Sequence, residues 1–104
     1  MIKLVVTMDR QPGTTTAAFR RYYREEHAPL ARQLPGLERY TVSFPLVPED
    51  SPHDAQAELY YESAEALDES FASATSTDVR DDLAAFADTD SVTRFVADEE
   101  VFLE

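Results

Sequence analysis

Residues 2–44 read IKLVVTMDRQPGTTTAAFRRYYREEHAPLARQLPGLERYTVSF, and the changes of period within this stretch decide the fold. Ile2, Leu4, Val6 and Met8 alternate with Lys3, Thr7 and Asp9, the two-residue period of a strand with one apolar face, while Val5 adds an apolar member to the other face. Gln11-Pro12-Gly13 breaks that strand, and Thr14, Thr15 and Thr16 then offer hydroxyls to the free N–H groups of a helix, with Thr15 the expected cap. Phe19, Tyr23, His27, Leu30 and Leu34 follow at intervals of four, four, three and four, which stacks them on one stripe facing the sheet. Pro35-Gly36 ends the helix, and from Arg39 to Phe44 the period returns to two, with Tyr40, Val42 and Phe44 on one side.

Working outward, Pro45 to Asp54 holds three prolines, several acids and His53, a composition that cannot pair in a sheet and predicts an exposed hairpin connection. Ala57, Leu59 and Tyr61 alternate with Glu58, Tyr60 and Glu62 as a third strand. Ser63 is placed to cap a second helix with the stripe Ala64, Leu67, Phe71 and Ala74, and Val79, Leu83 and Phe86 predict a further short helical piece, with a boundary near Ser76. Phe95 to Leu103 is read as the fourth strand. The order β-α-β-β-α-β over residues 1–104 predicts an α+β domain of ferredoxin-like arrangement, a four-stranded antiparallel sheet with its helices on one face. The other face, with Val5, Thr41, Ser43 and Tyr60, is left bare, and a second copy of the same sheet is the simplest cover.

At 104 residues the chain fits a single domain, and 43% hydrophobic residues are enough for a packed interior. No apolar run reaches the roughly 18 residues of a membrane span, and the opening MIKLVVTMDR is too short and too alternating for a signal peptide, so a cytoplasmic protein is expected. Without cysteine there is neither a disulfide nor a thiolate nucleophile or metal ligand. Twenty-one acids against nine basic residues give a formal net charge of −12, which disfavours binding to nucleic acid phosphates. The acids are spread along the chain, and so diffuse a coat suits a protein working at high ionic strength, as in a halophile, with an ordinary acidic mesophilic protein as the alternative.

The helix motif F-x-x-Y-Y-x-x-x-H-A-P-L from Phe19 to Leu30, followed by L-P-G-L-E-R-Y from Leu34 to Tyr40, resembles the signature of the EthD-like proteins. Leu59-Tyr60-Tyr61-Glu62-Ser63 with Ala66-Leu67 is similar to that family's corner between strand and helix. The resemblance departs at Ala17 and Ala18, where acids are common, and at Tyr23, where a Trp is usual. It implies a homodimeric α/β barrel with a pocket between each sheet and its helices. The wider superfamily includes small monooxygenases, cyclases, isomerases, dehydratases and haem-binding enzymes, so fold alone selects no reaction.

Among residues able to carry chemistry, His27 stands out. It lies on the inner stripe, and its ordinary pKa of about 6.5 suits a general acid or base. Two residues on, Pro29 has no N–H for the carbonyl of Glu25, which predicts a distorted turn and a local gap beside His27. The competing reading makes His27 a core residue bonded to a strand carbonyl. Phe19, Tyr23, Tyr40 and Tyr61 are the candidate ligand-binding residues, with core packing as their alternative. No metal site is expected from two histidines without clustered ligands, and no cofactor is expected, although His27 as a haem ligand stays open by analogy. Gly13 and Gly36 alone build neither a phosphate loop nor a nucleophile elbow. Two readings result. One is a cofactor-free enzyme acting on a small apolar or aromatic compound with His27 as general acid/base, the other a non-catalytic small-ligand-binding or accessory protein of a degradative or redox pathway.

Overall fold

Alternating apolar residues place β1 (Ile2–Arg10) at the centre of the sheet in a computed structural model that describes all 104 residues. It pairs antiparallel with β3 (Ala55–Tyr61) on one side and β4 (Ala87–Asp98) on the other, while β2 (Arg39–Ser43) lies outside β3. The strand order β2-β3-β1-β4 is that of a ferredoxin-like α+β fold. Leu4, Val6 and Met8 pair with Leu59, Ala57 and Ala55, and this inner face is buried under the helices.

The helix after β1 begins where expected. Thr15 accepts the N–H of Ala18 at 3.1 Å and starts α1 (Thr16–Tyr22). The sequence predicts one helix as far as Leu34, but the chain opens into a π-helical turn over Tyr23–His27, where the N–H of Ala28 reaches back five residues to the carbonyl of Tyr23. Pro29 follows at once in α2 (Ala28–Ala31), and a widened turn relieves the clash of its ring with the preceding turn. The extra residue moves the inner stripe by one position. Ala31 is buried in place of the expected Leu30, and Leu34 regains the inner face after the helix ends.

The β2–β3 connection carries a short 3-10 turn at Pro48–Asp50 within the predicted loop. Ser63 accepts the N–H of Ala66 and caps α3 (Ala64–Phe71). The expected boundary near Ser76 falls earlier, because Ser73 caps a new helix, α4 (Ala74–Asp82), by accepting the N–H of Ser76. Ala74 is therefore an exposed first-turn residue and no part of the α3 stripe. A 3-10 turn at Leu83–Ala85 leads into β4.

The fourth strand is the main correction. It spans Ala87–Asp98 rather than Phe95–Leu103. Its first half reads as polar, and a register shift opposite Thr7–Asp9 interrupts its alternation. Its end is set by its partner: Asp98 pairs with Ile2, the first residue of β1, so nothing remains for Phe102 and Leu103 to pair with, and these are 91% and 93% exposed.

Helices cover one face of the sheet. On the other, expected to be bare, Val5 and Tyr60 are already buried in the single chain, beside a polar cluster in which Lys3 bridges Glu58 at 3.0 Å and Glu99 at 2.9 Å, and Tyr60 donates to Glu58. Phe95, beside Val5 on that face, remains 59% exposed.

Candidate functional site

Between the inner sheet face and the helices lies a cavity of about 370 Å³ with a mostly apolar lining. Pockets of this size hold small organic molecules. Room for it arises at the sheet centre, where Ala57 stands between Val6 and Val42 and leaves space that a larger residue would fill. Leu4, Val6 and Leu59 form the floor. Tyr23, His27 and Ala31 come from the first helical run, and Leu67, Phe71, Val79 and Leu83 from α3, α4 and the turn after it.

His27 is buried at the end of the π turn, on the inner stripe with Tyr23 and Ala31. It bonds no strand carbonyl. Its Nδ1 lies 2.9 Å from Oδ2 of Asp82 at the end of α4, while the hydroxyl of Tyr22 donates to Oδ1 of the same carboxylate at 2.7 Å. An acceptor-only carboxylate fixes the neutral imidazole as the Nδ1–H tautomer and leaves Nε2 with its lone pair. Nε2 has no partner within the protein and is not sealed off, and His27 lines the cavity. Burial lowers the pKa of His27, with the Asp82 carboxylate opposing the shift, so the ring stays neutral and basic near pH 7. The bond to Asp82 pushes the Tyr22 hydroxyl up to about 12.

Tyr23 and Tyr40 meet across the cavity with their hydroxyls 2.8 Å apart. One phenol donates to the other, so one O–H stays free to donate to a ligand. Burial raises the pKa of Tyr23 and takes Tyr40 to about 12, which keeps both phenols protonated as donors.

The other two expected ligand residues stand elsewhere. Tyr61 bonds Ser70 at 2.7 Å within the core, and Phe19 packs against Tyr23 and Phe86; neither lines the cavity. Tyr61 does sit on the inner face of its strand, but at its last position, under α3. His53 is apart from the site, in a polar hollow near Asp9. Asp82, Tyr22, Arg80 and Arg94 were not legible as site residues. One signal existed: Asp82 is three residues after Val79 and adjoins Leu83, which puts a carboxylate at the edge of an apolar helical stripe.

Comparison with known proteins agrees with this architecture. The model of the EthD domain matches residues 11–90. An uncharacterized 11.0 kDa protein from the thcB-thcC intergenic region of Rhodococcus erythropolis is 34% identical over 89 residues, covering 84% of this chain and 85% of that one. The crystal structure of an EthD family protein from Bacillus halodurans is similar with a TM-score of 0.82 and 28% identity, over 96% of this chain and 99% of the other. SnoaB, a cofactor-independent oxygenase from Streptomyces nogalater, shares the fold at a TM-score of 0.69 and 15% identity, over 99% and 97% of the two chains. With about three-quarters of its length matched by the family model and its helix motif built into the wall of the cavity, this chain belongs to the EthD family.

Proposed function

We propose that the protein is a cofactor-free enzyme acting on a small apolar or aromatic compound, with His27 as general base. The observation that carries this reading is the His27–Asp82 pair: Nδ1 is occupied by a carboxylate, which leaves Nε2 without a protein partner on a residue that lines an apolar cavity. Asp82 orients the ring and stabilises the imidazolium that forms when Nε2 takes a proton from an acidic C–H or O–H of the ligand. The free hydroxyl of the Tyr23–Tyr40 pair donates to the oxygen on which negative charge then develops. Oxygenation, cyclisation and isomerisation of an activated carbonyl compound all begin with such a proton removal, and the fold is shared with a cofactor-independent oxygenase. A homodimer is part of the proposal, because the sheet face around Val5, Thr41 and Tyr60 has no helix over it and presents Phe95 to solvent.

The probe is 2-tetralone, an apolar bicyclic ketone with acidic C–H bonds, and the readout is deuterium uptake from heavy water followed by NMR. Wild type accelerates the exchange, and His27→Ala lowers the rate by about a hundredfold, within the usual range for a positioned general base. Binding of tetralone without faster exchange in the wild type favours the non-catalytic binding reading. A His27→Ala variant that keeps the full rate removes His27 from the mechanism.

A further inference from the structure

The cavity mouth carries a charge that the general-base reading does not use. Arg80, on α4, and Arg94, on β4, both line the cavity. Neither has an acid within ion-pair distance, and Arg80 makes only a 3.4 Å contact with Ser76. In a chain with twenty-one acids and nine basic residues, pairing would be the expected fate of an arginine. Yet no Asp or Glu lines the cavity, and Asp82 is engaged by His27 and Tyr22.

The two guanidinium groups also act on each other. The pKa of Arg94 is lowered by burial and by the positive charge of Arg80. Two like charges held together without a counter-ion cost free energy in the empty protein, and a bound anion removes that cost. Guanidinium groups suit this role, since their planar N–H donors match the two oxygens of a carboxylate.

We propose that the ligand of this cavity is an amphipathic organic anion, with an apolar cyclic body in the pocket beside His27 and a carboxylate held by Arg80 and Arg94. The inference rests on the cavity reading above and narrows its substrate class. The carboxylate stays at the mouth, where solvent is near, while the apolar body covers the Leu4, Val6 and Leu59 floor. The net charge of −12 repels anions in general, so a preference for an anion is evidence of these two side chains.

The test compares 2-naphthoate with 2-naphthamide, probes of nearly equal shape that differ in charge, by titration calorimetry at pH 7.5 on the full chain. Wild type binds the naphthoate about tenfold more tightly, and added salt weakens the naphthoate only. In the Arg80→Gln/Arg94→Gln double variant the preference falls to about one, because the naphthoate loses more affinity than the naphthamide, and Arg80→Lys/Arg94→Lys recovers part of it. Neither residue belongs to the packed core, so these variants keep the fold; a melting curve on each confirms it. Equal or tighter binding of the naphthamide by wild type overturns the anion proposal and leaves the cavity reading standing. Binding of neither probe overturns both. A naphthoate preference that survives in the double Gln variant also overturns the assignment to these arginines.

Discussion

At His27 the chain trades solvation for position. The ring packs edge-on against Tyr23, with centroids 5.1 Å apart, and tilted against Phe86 at 4.9 Å. That enclosure disfavours the imidazolium and depresses its pKa below 6.5. The unfolded chain therefore takes up the proton first as pH falls. This contribution is nil above the unfolded value and becomes destabilising below it. Glu58 and Glu99, whose pKa values are lowered by hydrogen bonds from Tyr60 and Lys3, act oppositely: their stabilisation is full above about 4.5 and is lost as pH falls below it. Between pH 7.5 and 5.5 these two carboxylates therefore do not offset the His27 effect. Melting temperatures of wild type should drop more steeply over this range than those of His27→Gln, and parallel curves would refute a neutral buried imidazole. The expectation of a strand carbonyl as partner of His27 failed because its actual partner, Asp82, is 55 residues away in sequence.

Among the elements, the first helical run and α4 do most to form the site. A regular helix through Leu34 would have turned Leu30 inward. The π turn ahead of Pro29 selects the small Ala31 instead and so widens the cavity roof. Across from it, α4 presents Arg80 and Asp82 from its last turn, and its start depends on Ser73. Ser73→Ala removes the cap and leaves a backbone donor without its side-chain partner, at a cost of about 1 kcal/mol. The melting temperature should fall by roughly 4–8 °C for a domain of this size. Because α4 carries the partner of His27, the same variant should weaken binding of 2-naphthoate as well. A change in neither quantity would show that α4 is held by packing alone. No helix is long and apolar enough to cross a membrane.

For the whole molecule, the two faces of the sheet have different fates. The inner face of β1 and β3 is covered by helices and the cavity, whereas the outer face holds the Lys3–Glu58–Glu99 cluster and the half-exposed Phe95. A second sheet laid on this face would bury Phe95 and desolvate the cluster, which its internal pairing makes tolerable. Light scattering should give twice the 11.7 kDa chain mass at micromolar concentration, and Phe95→Glu should return a folded monomer. A wild-type monomer ends the barrel proposal. The charge excess acts over the same scale. With few ion pairs among so many acids, self-repulsion is strongest in dilute buffer, so the melting temperature should rise with potassium chloride. A flat or falling response would leave no support for adaptation to high salt.

Periodicity by itself determined the element order, the caps at Thr15 and Ser63, and the inner faces of β1 and β3, because each rests on neighbours within four residues. It also placed His27 and Tyr23 on one stripe. Other features were settled only in three dimensions. The extent of β4 follows from where β1 runs out, the exclusion of Tyr61 and Phe19 from the cavity from how α3 and Phe86 pack, and the company of His27 from the return of α4 across the sheet. Arg80 and Arg94 look like two more surface arginines in the sequence. Only folding brings them to one cavity without a counter-ion, since charge–charge proximity between residues fourteen apart on different elements is a property of the tertiary structure and of no local pattern.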